Sequence, residues 1–393
     1  MNKKLVSLAV GSLFVSPVFA DTLSNPQIGV VLDGYYQDGQ RHNSEREEGF
    51  GLGHTELNMS ANIDDKFHGA LTAVLESHGD ETEFVLEEAF IETLALPYGL
   101  NVRAGRFLSD FGYLNNQHMH TDSFVERPIA YRTFLGSHYY DDGVRANIVL
   151  PTDLYVKFGA EALSGSKMSS VEDGSEVGVY TTTLKLGSDF SESSSWQFGL
   201  SYLYNKNGKV KEFEDHDHGH AEEHGHDHSH AAAVTGENLY GADFVWKWAP
   251  DGNYKYSNFT LSAEYMLLDG AVDSKFKDDA ESPDKLTAYY VSGVYRFNPS
   301  WSAGLRYGEA ESYDGHAHGD HMHFTALNDK EMDAMIAWDS SHFGTIRAQY
   351  SRIDNQDSET DNVFTLQYVM TFGAHGAHAV SYTHLRAHET YVH

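Results

Sequence analysis

The chain has 393 residues, no cysteine and a formal net charge of −31 at neutral pH. Without cysteine it can form neither disulfides nor thiolate metal sites, and so acidic a chain is not expected to bind nucleic acid. Its 24 Tyr, 22 Phe and 35 Gly beside only 8 Pro favour a fold with many strands and few helices.

Residues 1–20, MNKKLVSLAVGSLFVSPVFA, have the three parts of a secretory signal peptide. A Lys-Lys pair opens the segment, an apolar stretch follows, and Val18-Phe19-Ala20 fits the small-x-small rule for cleavage. We therefore expect a mature chain that begins at Asp21. No later stretch approaches the roughly 18 uninterrupted apolar residues of a spanning helix.

Alternation of apolar and polar residues with a period of two, typical of half-buried strands, recurs along the rest of the chain. Sixteen segments are predicted as strands, at approximate spans 26–36, 52–63, 66–77, 82–95, 99–107, 143–150, 153–163, 176–187, 196–205, 237–248, 256–268, 285–297, 300–310, 330–339, 342–352 and 361–372. The fourth and fifth do not alternate cleanly, so the sides of Glu87, Glu88, Arg103 and Arg106 stay open. A β-sandwich or jelly roll would alternate too, but here the apolar faces are edged with Tyr and Trp, as at a lipid interface. The sequence predicts an all-β fold, a porin-like transmembrane antiparallel β-barrel with an even number of strands.

The connections between these strands alternate in length. Tight turns such as IDDK, LPYG and LPTD alternate with longer segments, among them 108–142, 206–236 and 311–329. Outer-membrane barrels have short periplasmic turns and longer external loops. With the first strand starting in the periplasm, we expect 206–236 and 311–329 to be external loops, and 108–142 to be a pore loop in a water-filled lumen.

The stretch at 86–128, LEEAFIETLALPYGLNVRAGRFLSDFGYLNNQHMHTDSFVERP, resembles porin-like proteins grouped as zinc-regulated outer-membrane proteins, and 134–161 continues the likeness. The resemblance covers the mature chain to about Ala379. It implies an outer-membrane channel that is produced under zinc limitation and aids zinc entry. Such proteins are sometimes labelled TonB-dependent receptors, but about 370 mature residues are too few for a 22-stranded barrel with a plug.

A histidine-rich tract, EDHDHGHAEEHGHDHSH at 214–230, lies in one predicted external loop, and a smaller group lies in 311–329. Imidazole suits Zn, Cu and Ni, and His-x-His repeats in a flexible chain can bring two or three imidazoles to one tetrahedral ion. The predicted external metal ligands are His216, His218, His220, His224, His226, His228, His230, His316, His318, His321 and His323. The alternative is a solvated low-complexity loop that binds no ligand.

The predicted pore loop carries a second candidate metal site. In sixteen-stranded porins this third loop commonly folds inward, which would place His118, His120 and Asp122 at the constriction. Alternate residues of an extended segment share one side, where two imidazoles and a carboxylate can bind a metal transiently. We add His138 to this predicted set. The alternative is a hydrogen-bonded loop that only holds its shape.

The predicted function is capture of divalent metal, zinc first, at the surface loops and its facilitated diffusion into the periplasm. Two alternatives stay open: a general diffusion porin, and a surface metal buffer or adhesin without a transport role. No G-x-S-x-G, H-E-x-x-H or phosphate-binding glycine loop occurs, so we expect no enzymatic activity and no cofactor besides zinc as bound or transported ion. The expected partners are outer-membrane lipid, divalent metal ions and, by analogy with porins, further copies in a homotrimer.

The last residues, 380–393, continue past the final strand without strand periodicity. We interpret them as an atypical tail that resembles translated adapter or vector sequence. The alternative is a genuine periplasmic tail.

Overall fold

The computed structural model describes residues 25–41, 44–78, 81–168, 177–209, 232–272, 283, 285–318, 321–356 and 360–373. The predicted signal peptide, most of the 206–236 tract and the tail at 380–393 lie outside these residues. The strands are β1 (Gln27–Asp38), β2 (Gly49–Leu52), β3 (Thr55–Asn62), β4 (Phe67–His78), β5 (Glu81–Thr93), β6 (Leu100–Leu108), β7 (Tyr140–Val149), β8 (Tyr155–Leu163), β9 (Val179–Ser191), β10 (Ser194–Asn205), β11 (Asn238–Trp248), β12 (Asn258–Asp269), β13 (Lys285–Asn298), β14 (Trp301–His318), β15 (His321–Ser341), β16 (Gly344–Asp354) and β17 (Asp361–Gly373). The helical elements are α1 (Ile129–Leu135) and short 3-10 turns at Pro97–Gly99, Met119–Thr121, Ser166–Met168 and Pro250–Gly252.

The strands form one antiparallel sheet that closes on itself. β1 pairs with β17 from Gly29↔Gly373 to Asp38↔Phe364, which joins the two ends of the sheet. β2 and β3 both pair with β1 and are two parts of one barrel strand, so the 17 segments make a 16-stranded barrel. The predicted fold is confirmed, and a sandwich is excluded because its two sheets would not close.

Successive residues of each strand face opposite sides of the barrel wall. In β17 the apolar side chains of Phe364, Tyr368 and Phe372 are exposed on the outside, whereas Thr365 and Gln367 are buried towards the lumen. The same pattern recurs around the barrel and gives it the apolar outer surface that lipid requires. Among the described residues, no helix is long and apolar enough to cross a membrane.

The two rims of the barrel differ in the length of their connections. One rim carries the start of β1, the end of β17 and connections of at most nine residues, and the other carries the longest connections together with the two-residue connections after β4 and β14 and a six-residue one after β16. The segment 311–329 is not the loop that we expected, because β14 and β15 continue through it and pair as far as His318↔His321. A Gly-Asp pair at 319–320 favours a two-residue hairpin turn, so the ladder has no reason to stop earlier.

Residues 109–139, which connect β6 to β7 and which we call the inward loop, fold into the lumen. All of α1 is buried, and it packs against β13 and β14. Phe111, Tyr131 and Phe134 join lumen-facing wall residues in one apolar cluster. We expected a water-filled lumen. The structure instead shows that the inward loop places an apolar cluster inside the barrel.

One buried carboxylate fixes the inward loop to the barrel wall. Glu264 of β12 accepts hydrogen bonds from the backbone N–H groups of Tyr113 and Leu114, at 2.8 and 3.3 Å. It also accepts from the hydroxyl groups of Tyr131 and Tyr290, each at 2.8 Å. The loop is thus held at two separate points along its length by a single strand residue.

We expect the substitution Glu264→Ala to loosen the inward loop while the barrel stays closed. The change removes the acceptor from four donors, and each unsatisfied buried group costs about 1–3 kcal/mol. Trypsin should then cut after Arg132, which is buried in the folded chain. The matched control is Glu309→Ala, because Glu309 also accepts from a tyrosine hydroxyl, that of Tyr289, but is half-buried and lies away from the loop. Equal protection of Arg132 in both variants would contradict the assigned role of Glu264.

Candidate metal centre

Four histidines and three glutamates meet where the inward loop touches the lumen side of β3 to β5. We call them the histidine–glutamate cluster: His54, Glu56, Glu87, Glu88, His118, His120 and His138. Six of the seven side chains are at most 8% exposed, whereas that of His118 is 28% exposed. His118 is therefore the member most open to solvent.

His54 enters the cluster because its barrel strand is interrupted between β2 and β3. A Cβ at Gly53 would lie 2.4 Å from the carboxylate of Asp33, so only glycine fits in this break. The three consecutive residues His54, Thr55 and Glu56 are all buried, which regular alternation would not allow. The break thus adds an imidazole beside Glu56 on the lumen side of the wall.

Glu87 and Glu88 both face inward because β5 contains a β-bulge. Thr72 of β4 pairs with Glu88, and the next residue, Ala73, pairs with Leu86, so that Glu87 is the extra residue of the ladder. Alternation in the sequence assigns no clear side to these two glutamates, and the bulge is the physical reason.

The inward loop brings His118 and His120 into the cluster as a pair. His118 directly precedes the 3-10 turn Met119–Thr121, and His120 lies within it. Their rings stack with centroids 5.8 Å apart. His120 Nδ1 lies 2.5 Å from Glu56 Oε1, and His118 Nδ1 lies 3.2 Å from Glu87 Oε2. Both predicted ligands of the loop are therefore next to carboxylates of the wall.

Asp122 is not part of the cluster, and our prediction of an extended conformation from His118 to Asp122 is wrong. The 3-10 turn Met119–Thr121 changes the direction of the chain, and Asp122 Oδ2 lies 2.8 Å from Nε of Arg127. The backbone oxygen of Asp122 accepts a hydrogen bond from Arg347 of β16 at 2.7 Å. Asp122 therefore helps to hold the loop instead of facing the imidazoles.

His138, at the end of the inward loop, meets His54 and Glu87. His138 Nε2 lies 2.8 Å from Glu87 Oε1, and His54 Nε2 lies 3.3 Å from the same oxygen. The two imidazole rings meet edge to face, with centroids 5.3 Å apart. One donor atom from each of these three residues lies within 4.8 Å of the other two, a spacing suited to a shared metal ion.

The cluster holds more negative charge than fixed positive charge. Glu56 and Glu87 are buried, and in the described part of the chain their ionic partners are all histidines. A buried carboxylate without a cation is costly. Either the imidazoles carry protons, or a metal cation lies among them.

The carboxylates around His118 raise the pKa of its imidazole. Burial lowers the pKa of His118, but the carboxylates of Glu56, Glu87 and Glu88 raise it by more, so that it lies well above its ordinary value of 6.5. A metal ion and a proton compete for the same lone pair of the ring nitrogen. Metal binding at His118 should therefore release a proton at neutral pH.

The donor atoms of the cluster suit a first-row transition metal. Zinc takes imidazole nitrogen and carboxylate oxygen together, at about 2.0–2.2 Å, whereas Mg²⁺ and Ca²⁺ prefer oxygen alone. With four imidazoles and three carboxylates, the cluster offers more donors than one tetrahedral ion needs. Its chemistry fits binding and exchange of a divalent cation.

An arginine-rich network holds the other side of the inward loop. Arg306 of β14 donates to the backbone oxygen of Glu126 at 2.7 Å and lies 2.8 Å from Asp333. Arg132 of α1 pairs with Glu331 of β15. These arginines have carboxylate partners, so this side of the lumen adds little net charge opposite the cluster.

Of the predicted external histidines, only those at 316–323 lie among the described residues. The tract 216–230 lies outside the described residues. In the hairpin of β14 and β15, the backbone register pairs His316 with His323 and His318 with His321. Directly opposite residues share one face of a ladder, as do residues two apart on a strand. The four positions therefore form a two-by-two group on one face of the hairpin.

Sequence reasoning missed His54 and Glu87 as candidate ligands. The glycine-rich run GLGH ahead of β3 was the available signal for the strand break. For Glu87 the signal was the failure of alternation along β5, which is what a bulge produces.

Comparison with known proteins supports the fold. No family model matches the chain. An uncharacterized protein of Aquifex aeolicus (strain VF5) is 27% identical over 413 residues, which cover 94% of this chain and 82% of that protein. OprB of Pseudomonas putida, at 13% identity, matches 88% of this chain and 94% of its own with a TM-score of 0.59.

Two further solved structures agree with that likeness. The loop L8 deletion mutant of OmpT, an outer membrane protein of Vibrio cholerae, matches with a TM-score of 0.57 at 10% identity, over 89% of this chain and 100% of its own. The anion-selective porin from Comamonas acidovorans matches with a TM-score of 0.53 at 10% identity, also over 89% and 100%. The chain therefore has the porin-like barrel fold of Gram-negative outer-membrane proteins, and the outer membrane is its location.

Exchanging His321 and Met322 tests whether the hairpin register matters for metal binding. The double substitution His321→Met, Met322→His keeps four histidines but moves one to the opposite face. In a chain that lacks 214–230, we expect calorimetry to show zinc affinity at the hairpin reduced by about tenfold or more, equivalent to about 1.4 kcal/mol. The single change His321→Met serves as the reference for loss of one imidazole. An exchange variant that binds zinc like the parent would instead indicate a flexible loop.

Proposed function

We propose that this protein is an outer-membrane channel that captures divalent metal ions, zinc first among them, and lets them diffuse into the periplasm. The observation that supports this most is the position of the histidine–glutamate cluster. Part of it lies on the inward loop and part on the barrel wall, so an ion that crosses the lumen passes beside imidazoles and carboxylates together.

The charge of the cluster favours cations. Apart from the imidazoles, Glu56 and Glu87 place two negative charges in one corner of the lumen without an arginine partner among the described residues, while Glu88 lies 3.9 Å from Arg103 and the arginines on the other side are paired with carboxylates. Charged side chains that line a pore select the ions that enter it, and low-dielectric walls strengthen the effect.

Conduction requires binding that is strong enough for entry and weak enough for release. His118 meets this requirement better than its neighbours, because its side chain is 28% exposed and its Nε2 lies 3.3 Å from Glu88 Oε2. We propose His118, with His120 behind it, as the ligand pair that a passing ion meets first inside the barrel.

The external histidines would act before this step. Imidazoles in water, with a pKa of about 6.5, are mostly neutral at pH 7.4 and free to bind metal. We propose that the tract 216–230 and the hairpin group raise the concentration of metal at the mouth of the channel. Zinc is the ion named first because imidazole and carboxylate suit it, and because the zinc-regulated proteins that the sequence resembles point to it.

A general diffusion porin is the second candidate function. A cavity of about 240 Å³ lies between the inward loop and β11 to β14, and its wall carries the hydroxyl groups of Thr260, Ser262 and Ser292 beside Arg296. This cavity contains no histidine among its lining residues and would suit small polar solutes.

We also propose a homotrimer, since one Vibrio cholerae OmpT structure is described as a trimer form.

Single-channel recording with zinc separates the roles of the inner and outer histidines. We expect the double substitution His118→Ala, His120→Ala to weaken zinc block of the current by about tenfold or more, equivalent to about 1.4 kcal/mol of binding free energy, because two imidazoles are lost. Deletion of 214–230 should leave the current of small ions unchanged but reduce the zinc bound to the cell surface and growth under chelation.

The control is His68→Ala, since His68 lies at the short-turn end of β4, where its Nδ1 is 2.9 Å from Asn62. This variant should keep both zinc block and surface binding. If neither the inner nor the outer change altered zinc uptake or zinc-dependent current, a general porin would be the better account.

A further inference from the structure

Within the cluster, His54, Glu87 and His138 form a group that is closed to solvent, whereas His118, whose Nδ1 lies 3.2 Å from Glu87 Oε2, is partly exposed. Their side chains are only 1–2% exposed. They come from three separate places in the fold: the break between β2 and β3, the bulge in β5 and the end of the inward loop. Two of the three positions thus depend on departures from regular strand geometry.

The spacing of their donor atoms is close to that of a metal site. Ligands at about 2.0–2.1 Å from a tetrahedral ion lie about 3.3–3.4 Å from one another. His54 Nε2 and Glu87 Oε1 are already 3.3 Å apart, and all three donors lie within 4.8 Å. Glu56 Oε1 lies beside the group, 3.6 Å from His54 Nε2, and pairs with His120.

The hydrogen bonding of this group is incomplete without an ion. His54 Nε2 and Glu87 Oε1 are buried, yet neither makes a hydrogen bond of acceptable geometry. Buried polar atoms in folded proteins are nearly always satisfied, and exceptions call for an explanation such as an ion. A cation between them would satisfy both atoms and neutralise the buried carboxylate.

We propose that a divalent metal ion, zinc by its ligand chemistry, resides at His54, Glu87 and His138 and fastens the end of the inward loop to the barrel wall. This ion is a structural part of the protein and not the cargo, because its ligands are closed to solvent while His118 is open. It regulates the channel of the proposed function by fixing the loop that narrows the lumen, but its presence does not depend on transport.

The backbone directly before His138 has an unusual conformation that positions its side chain. After α1, Gly136 and Ser137 both have a positive φ, at 57° and 68°. Such a conformation is unfavourable for a serine and persists where surrounding contacts determine it. A bond from His138 to a wall-bound metal ion would be such a contact, and it would act directly after the turn.

Zinc retention in a stripped-down barrel tests the proposal. The parent is the full chain with 214–230 deleted and with His316, His318, His321 and His323 replaced by Ala, purified in detergent and passed over a weak chelator. We expect elemental analysis to find one zinc ion per chain. His54→Ala and the nearly isosteric Glu87→Gln should lose it, whereas the control His68→Ala should keep it.

A second measurement reports on the loop itself. Zinc removal by a strong chelator should expose Arg132 to trypsin in the parent, and zinc added back should restore protection. In Glu87→Gln, Arg132 should be cut at the same rate with and without zinc. This comparison remains informative if His54→Ala fails to fold.

A parent without retained zinc would overturn the proposal, as would retention in both His54→Ala and Glu87→Gln. Zinc flux into liposomes, measured on the same proteins, separates this outcome from the fate of the transport function. Retention without flux would support the resident ion and reject the zinc channel, and flux without retention would do the reverse.

Discussion

Closure of the sheet between β1 and β17 is the interaction on which the rest of this structure depends. Inside a lipid bilayer every backbone N–H and C=O must be paired, and a sheet can achieve this only when it has no edge. Sixteen strands closed in this way enclose more space than their own side chains fill. The inward loop occupies part of that space, and its polar groups must then find partners on the wall.

The lumen solves the resulting problem of buried charge in two ways. On one side, Arg306 and Arg132 pair with Asp333 and Glu331, so fixed charges of opposite sign cancel. On the other side, Glu56 and Glu87 meet imidazoles, whose charge depends on protons or metal. The charge of the first arrangement does not depend on imidazole protonation, whereas that of the second does and, on the proposal above, also depends on metal.

The regular parts of the fold could be predicted from the sequence, and the irregular parts could not. Alternation located all sixteen barrel strands, because the two faces of a membrane barrel meet opposite environments. It failed at Glu87, where a bulge shifts the register, and at His54, where a strand is interrupted. Those deviations depend on contacts with distant residues such as Asp33, which local patterning does not contain.

The same distinction applies to the loops that carry histidine. His118 and His120 were expected at an inward-folded loop, and the structure places them against the wall. Asp122 does not join the predicted metal ligands His118 and His120, because the chain forms a 3-10 turn there instead of an extended segment. Asp122 pairs with Arg127 directly after this turn. The hairpin of β14 and β15 was missed although its Gly-Asp pair is a turn signal, because 311–329 was assigned to a long external loop between two predicted strands.

The bulge at Glu87 makes the metal chemistry of this barrel separable from its architecture in evolution. Thr72 and Ala73 pair with Glu88 and Leu86, so removal of the single residue Glu87 would leave a regular ladder with the same hydrogen-bonding partners on both sides. A one-codon deletion would thus erase a ligand and preserve the barrel, and a one-codon insertion in a plain porin would do the opposite. The proposed ligand Glu87 could therefore be gained or lost in one genetic step while the ladder on both sides keeps its pairing.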